Sequence, residues 1–296
     1  MPGDKSRLMF SPQLEPNPNR VKRVERLEST NELAFTSYGV RIRVGFSNSQ
    51  MREQVIECLP PEKEFASLEF VDRTYALTAD DSSRERKRRY ALDVDSNRLI
   101  ETSDTEAIFD LFESNLKLFV AENAPNHVFV HAGAVGWRGQ AILIAGRSFS
   151  GKTTLVAELI RAGATYYSDE YAVISSSGRV QPFAQPLAIR ERGGWQQQKQ
   201  AVETFGGTTG TESLPVGLVV VSQYKKGTRW QPQILSPGAG VLALLSNTVA
   251  ARKQPARVLV ALQKAAQTAV FVQSARGEAK ACAKYILKKL NSQFDF

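Results

Sequence analysis

A glycine-bounded segment that ends in lysine and threonine constrains this chain more than any other feature of its sequence. The segment reads Gly146-Arg-Ser-Phe-Ser-Gly151-Lys152-Thr153. The apolar, strand-like run 141–145 leads into it, and the amphipathic stretch 152–162 follows it. Strand, loop and helix in this order are the parts of a P-loop, whose backbone N–H groups form a concave cradle for phosphate oxygens at a helix N-terminus.

Each residue type in the loop has a physical task. The two glycines permit backbone conformations that turn N–H groups inward, and Lys152 supplies a mobile cation for the β- and γ-phosphates. The hydroxyl of Thr153 is placed to bind the Mg²⁺ that bridges those phosphates. The sequence therefore predicts an ATP and Mg²⁺ site. Its expected nucleotide-binding residues in the loop are Gly146, Ser148, Ser150, Gly151, Lys152, Thr153 and Thr154.

A metal–phosphate site also needs a carboxylate, and one follows soon after the loop. Asp169 and Glu170 come after the short run 164–168, which we interpret as the strand next in the chain after the P-loop helix. Asp169, Glu170 and Thr153 are the expected metal ligands. The alternative is that Ser-Asp-Glu only begins a turn.

Three features together resemble the C-terminal catalytic domain of the HPr serine kinase/phosphorylase family, whose fold is related to that of phosphoenolpyruvate carboxykinase. They are the strand entry His131-Ala-Gly133-Ala-Val135 before the P-loop, the acidic pair after the P-loop helix, and Ser148 within the loop. Glu170 stands where the family has a second aspartate, so the chain resembles a divergent member.

The resemblance implies roles for individual residues. Asp169 would be the general base that accepts the proton of a substrate hydroxyl, with His131 aiding it and Lys152 as the catalytic cation. Glu170 would help to organise the metal. Arg190, in the segment Leu187-Ala-Ile-Arg190, would contact phosphate.

The periodicity of apolar residues predicts an α/β protein in which a P-loop kinase domain, with a central mixed sheet flanked by helices, follows a smaller and mostly β unit. We expect a flexible tail over 1–34, an N-terminal α+β unit over 35–125 and the catalytic domain over 126–296. The predicted strands are 38–46, 75–78, 90–94, 128–130, 140–145, 171–174, 218–224 and 268–272, and the predicted helices are 105–120, 152–162, 238–249, 255–266 and 276–290.

Composition and the length of apolar runs narrow the classes of protein to which the chain can belong. Hydrophobic residues make up 42% and charged residues 23% of the 296 residues, which is typical of a globular chain. No apolar run approaches the ~20 residues that span a bilayer, and Cys58 and Cys282 match no metal-ligand spacing, so we expect a cytoplasmic protein without a membrane partner.

Three functional hypotheses were weighed against these features. The leading hypothesis is an ATP-dependent kinase that acts on a hydroxyl, serine above all, of a protein, peptide or small molecule. The second is a nucleotide-binding regulatory module that transfers no phosphate. The third, nucleic-acid binding, rests on the net charge of +8 and is disfavoured because the basic residues, including the run 84–89, accompany no recognition motif. A homo-oligomer is left open.

Overall fold

The computed structural model describes residues 31–80, 88–146, 150–190 and 197–291, without the side chains of Arg190 and Gln197. Most of the predicted tail, most of the basic run 84–89 and the candidate ligand Ser148 lie outside these residues. The first strand begins at Glu32, so the last residues of the range expected to form the tail belong to the N-terminal sheet.

Alternating apolar residues build a six-stranded sheet in the N-terminal part of the chain. In its second strand every other residue is buried, from Val40 to Phe46, which is the period of a strand with one face on a core. A tight turn at Tyr38 and Gly39, both with positive φ, joins the first two strands as a hairpin. In spatial order β3-β1-β2-β4-β5-β6, the strands are β1 (Glu32–Ser37), β2 (Val40–Phe46), β3 (Glu64–Phe65), β4 (Arg73–Asp80), β5 (Arg89–Val94) and β6 (Asn97–Thr102).

Two capped helices accompany this sheet. Helix α1 (Ser49–Cys58) starts where the side chain of Asn48 accepts a hydrogen bond from the backbone N–H of Met51, 2.9 Å away. Helix α2 (Thr105–Asn123) starts at Asp104, whose carboxylate caps it in the same way. The sequence analysis predicted α2 and missed α1, which has only a weak apolar stripe.

The second sheet carries the glycine-bounded loop. Its spatial order is β10-β8-β9-β15-β12-β11-β7, with β17 beside β15 and β16 beside β17. Its strands are β7 (His127–Val130), β8 (Ala132–Trp137), β9 (Gln140–Ala145), β10 (Thr165–Ser168), β11 (Ala172–Ser175), β12 (Arg179–Gln181), β15 (Leu214–Tyr224), β16 (Gln233–Ile234) and β17 (Val270–Arg276). A separate hairpin pairs β13 (Leu187–Arg190) with β14 (Gln197–Gln200).

Helices cover both faces of this sheet, which makes the chain an α/β protein as expected. Helices α3 (Lys152–Arg161) and α6 (Ala279–Asn291) share one core with the sheet, while α4 (Pro237–Leu245) and α5 (Pro255–Ala266) share another. No helix within the described residues combines the length and the apolar character needed to cross a bilayer.

The core of the N-terminal sheet crosses the boundary expected near residue 125. It includes Phe129, Tyr171 and Phe183, whose rings pack edge to face on one another within 6 Å, and Tyr38 contributes a further ring from the first hairpin. Helix α2 therefore lies directly against the second sheet.

The last predicted helix begins later than expected. We predicted it from residue 276, but β17 continues through Arg276 because that residue pairs with Tyr224 of β15 in a parallel ladder. Strand pairing with a neighbour remote in sequence overrides the local helical pattern here. Arg276 is consequently held at the end of a strand.

Candidate active site at the end of the central strands

Four strands of this sheet direct their C-terminal ends to the same edge. Strands β9, β15 and β17 are parallel, and β10 runs in the same direction because both β9 and β10 are antiparallel to β8. The residues that follow β9 and β10, and the residue that precedes β8, therefore meet at this edge. They are Gly146, Asp169 and His131, which the sequence analysis selected separately. Ligands of open α/β sheets bind at this kind of edge.

The described part of the glycine-bounded loop is fixed by contacts to the adjacent strands. The carbonyl of Ser150 accepts a hydrogen bond from the backbone N–H of Tyr224 at 3.1 Å. The carbonyl of Gly151 accepts one from Nη2 of Arg276 at 2.6 Å. Nζ of Lys152 donates back to the carbonyl of Gly146 at 2.9 Å. The loop and the first turn of α3 are thus held by β15, by β17 and by their own lysine.

Both glycines of the loop are required by its geometry. Gly151 has φ +83°, in the left-handed region, and a Cβ there would clash with Nη2 of Arg276. A Cβ on Gly146 would lie 2.6 Å from Oγ of Ser150 and 2.9 Å from the carbonyl oxygen of Ser222. Oγ of Ser150 is buried and has no hydrogen-bond partner among the described residues.

The buried carboxylate of Asp169 faces the start of α3. Its Oδ1 accepts a hydrogen bond from the hydroxyl of Tyr166 at 2.8 Å, and its Oδ2 accepts one from the backbone N–H of Ala188 at 3.3 Å. The side chain of Thr153 also lies near this carboxylate. Burial raises the pKa of Asp169, and the donors around the carboxylate, Tyr166 first, offset part of the rise. Thr154, the next residue of the helix, is exposed.

Lys152 is a buried cation close to both acids. Burial lowers the pKa of its ammonium to about 8, while the charges of Asp169 and Glu170 oppose that change. A lysine in this state is charged at neutral pH and is poorly solvated. It therefore has a strong tendency to pair with additional negative charge.

His131 is neutral in this environment. It lies between β7 and β8, where its backbone N–H donates to the carbonyl of Asn247 at 2.7 Å and its ring packs edge-on against Tyr171 at 5.8 Å. Burial and the charge of Lys152 lower its pKa to about 4. An imidazole in this state can accept or donate a hydrogen bond without carrying charge.

The side chain of Glu170 pairs with a lysine of the N-terminal unit, whereas Asp169 is held by Tyr166 and Ala188. Its Oε2 lies 3.2 Å from Nζ of Lys117 on α2, and that ammonium also lies 2.7 Å from Oε1 of Glu113. The second oxygen of Glu113 lies 2.6 Å from Nζ of Lys199 on β14. We call these four residues, Glu113, Lys117, Glu170 and Lys199, the charge cluster. It joins α2, the acidic pair and the β13–β14 hairpin.

Opposite charges determine the ionisation of the buried members of the charge cluster. Burial alone would raise the pKa of Glu113, but Lys117 and Lys199 outweigh it and hold that pKa below its ordinary value. In the same way, Glu170 and Glu113 outweigh burial and raise the pKa of Lys117. Both groups are therefore ionised at neutral pH.

The β13–β14 hairpin lies beside the acidic pair. Its first strand contains the backbone N–H of Ala188 that donates to Asp169, and its second strand contributes Lys199 to the charge cluster. Arg190, the predicted phosphate contact, ends β13 and pairs with Gln197, but its side chain lies outside the described atoms.

Four residues at this edge escaped the sequence analysis: Tyr166, Lys117, Tyr224 and Arg276. Tyr224 and Arg276 could have been found, since each ends an apolar strand and such ends line ligand sites in open sheets. Lys117 gave no signal because its helix belongs to the N-terminal unit. Within the described residues there is no cluster of three or more His, Cys, Asp or Glu side chains that could hold a metal ion on its own.

Comparison of the chain with models of protein families gave no match. Comparison with curated proteins gave no match either.

Proposed function

We propose that the chain is an ATP-dependent kinase that transfers a phosphoryl group to a hydroxyl of a protein, peptide or small molecule. The observation that carries the proposal is that Lys152 and Thr153, on the first turn of α3, and the buried carboxylate of Asp169 lie together at the edge where β9 and β10 end. Phosphoryl transfer needs a cation, a metal-binding hydroxyl and a carboxylate at one place.

The residues around the loop fit a nucleoside triphosphate with Mg²⁺. Gly151 in the left-handed conformation, Oγ of Ser150, which has no partner among the residues that the structure describes, and the poorly solvated ammonium of Lys152 are all suited to phosphate oxygens. Thr153 and Asp169 offer the oxygen ligands that Mg²⁺ prefers, and no further protein ligand is needed because Mg²⁺ is usually held by one or two carboxylates together with phosphates. When bound, Mg-ATP would supply the phosphoryl group and neutralise its charge.

Asp169 is the group in this site that can take up the proton of an acceptor hydroxyl. Its burial favours the protonated form, so an oxygen of Asp169 that does not hold Mg²⁺ takes up a proton more readily than an oxygen of a solvated aspartate. Tyr166 and Ala188 orient the carboxylate through hydrogen bonds to separate oxygens. His131 is uncharged and adds no positive charge that would stabilise the deprotonated acid.

Glu170 has a different role in this proposal from the one that the resemblance implied. Because its carboxylate pairs with Lys117, it connects the site to the N-terminal unit. Mg²⁺ binding then falls mainly to Thr153 and Asp169, with Glu170 available only if its ion pair opens.

One observation favours the second candidate, a regulatory module that binds nucleotide without transfer. Both oxygens of Asp169 accept hydrogen bonds, from Tyr166 and Ala188, as expected for a carboxylate with a structural role. The two functions share the nucleotide site and differ in whether Asp169 acts on a substrate.

Transfer of radiolabelled phosphate from [γ-³²P]ATP with Mg²⁺ to a serine-containing peptide library distinguishes them. The kinase predicts label in the peptides with the wild type, a loss of at least about a hundredfold with Asp169→Asn, and no loss with Asp110→Asn, an exposed carboxylate on α2. Binding of the ATP analogue AMPPNP by a wild type that labels neither the peptides nor itself would support the regulatory module instead.

A further inference from the structure

The structure points to a subsite for the nucleobase on the opposite side of the loop from Asp169. This inference rests on the proposed nucleotide site. In the sheet order β10-β8-β9-β15-β17, the loop follows β9, and Asp169 follows β10 on one side. If the terminal phosphate faces Asp169, the nucleoside end of the ligand leaves toward the ends of β15 and β17.

We propose that Tyr224 stacks on the base there and that Arg276 is the positioning residue for its ring. Tyr224 lies three residues beyond Val221, the partner of Ala145 at the end of β9, so it projects past the strand that carries the loop. The residue is 44% exposed. The guanidinium of Arg276 lies over its ring, 5.7 Å from the ring centroid.

Both residues are tied to the phosphate-binding loop. The backbone N–H of Tyr224 donates to Ser150, and the side chain of Arg276 donates to Gly151. Cβ of Tyr224 would lie 3.7 Å from a Cβ built on Gly151, which is van der Waals distance. The side chain of Tyr224 thus starts beside Gly151, the residue that precedes α3.

The chemistry of this pair suits a planar aromatic ligand. A nucleobase stacks on a tyrosine ring whatever its hydrogen-bonding pattern, because every base has a π-face. Arg276 is buried, donates to the loop through Nη2 and to the carbonyl of Gly277 through Nη1, and is therefore held in place before any ligand arrives. The exposed cations Lys225 and Lys226 follow directly in the chain.

Binding of two ligands by the full chain tests the subsite. Inorganic tripolyphosphate has the phosphates and lacks the base, whereas AMPPNP has both. By titration calorimetry with Mg²⁺, we expect Tyr224→Ala to weaken AMPPNP binding by about tenfold and to change tripolyphosphate binding less than twofold. Tyr224→Phe, which retains the ring, should bind both as the wild type does, and Lys152→Ala should weaken both.

The outcomes separate this inference from the proposed function. Wild-type affinity of Tyr224→Ala for AMPPNP, with Lys152→Ala still impaired, would overturn the subsite and leave the phosphate site standing. An equal loss of both ligands in Tyr224→Ala would show a role in loop structure only and would also overturn it. A wild type that binds neither ligand would overturn the proposed function and the subsite together.

Discussion

The hydroxyl of Thr153 approaches the carboxylate of Asp169 across the gap between α3 and the end of β10, closely enough to influence the pKa of that carboxyl. The two residues lie on different elements, and both are adjacent to the loop that follows β9. The contact places a buried acid against the helix start where a P-loop places its metal-binding hydroxyl. Because the acid is buried, replacing it should change the free energy of unfolding by a measurable amount.

Asp169→Asn should stabilise the protein at neutral pH. The pKa of Asp169 is raised in the folded state, so the folded protein binds this proton more tightly than the unfolded chain does. Above the ordinary pKa of aspartate, wild-type stability therefore falls as the pH rises through the raised pKa. We expect Asp169→Asn to exceed the wild type in free energy of unfolding by about 1 kcal/mol at pH 7, and the difference to shrink as the pH falls toward 4.

Urea unfolding at both pH values measures this difference, with Asp110→Asn as the matched exposed control. A difference that is the same at pH 7 and pH 4 would show that burial of the carboxylate is not its cause. A less stable Asp169→Asn would show that the hydrogen bonds of the carboxylate outweigh its burial.

Nucleotide affinity should fall at alkaline pH because Lys152 loses its proton. Its pKa is lowered to about 8, so the ammonium is charged at pH 7 and only about one-tenth charged at pH 9. If only the charged form binds phosphate, AMPPNP affinity falls by about tenfold between these values. Lys152→Arg keeps its charge over this range and should show no such fall. Parallel profiles for the two proteins would contradict this assignment.

Gly151→Ala should destabilise the protein more than the same change at another left-handed glycine. Gly151 and Gly206 have φ +83° and +71°, so alanine is strained at both by about 1 kcal/mol. Nothing lies within 4 Å of a Cβ on Gly206, whereas one on Gly151 would meet Arg276. The difference in free energy of unfolding between Gly151→Ala and Gly206→Ala, measured with urea, gives the cost of that contact. Equal losses would mean that Arg276 moves away without cost.

The charge cluster should behave as a buried ion pair. The side chains of Lys117 and Glu113 are only 10% and 11% exposed, so Lys117→Met should cost about 3 kcal/mol of unfolding free energy by leaving Glu113 with the exposed Lys199 as its remaining ion-pair partner in the charge cluster. Replacing both, as Glu113→Leu with Lys117→Met, should bring stability to within about 1 kcal/mol of the wild type. A double variant as unstable as the sum of the single changes would show that the two residues act independently.

The local sequence pattern was sufficient to predict elements whose apolar periodicity matches a buried face. Strand β9 over Gln140–Ala145 and helix α5 over Pro255–Ala266 have the predicted bounds, because their apolar periodicity reflects faces that are buried. The acidic pair was predicted to follow a short strand, and Asp169 does follow β10.

The features that the sequence analysis missed depend on contacts between residues that are remote in sequence. Arg276 was expected in a helix, and its place at the end of β17 depends on Tyr224, which is remote in sequence. The ion pair of Glu170 with Lys117 depends on α2 packing against the second sheet, and no local pattern encodes that arrangement. The resemblance implied a metal-organising role for Glu170 but gave no indication that Lys117 would pair with it.

The position of a bound triphosphate relative to Asp169 tests the account most directly. A crystal structure of the full chain with AMPPNP and Mg²⁺ should show the phosphates on the backbone N–H groups of the loop, Mg²⁺ on Thr153, and the terminal phosphate facing the carboxylate of Asp169. A terminal phosphate directed toward β15 and β17, with Asp169 remote from the phosphates and still held by Tyr166 and Ala188, would contradict it.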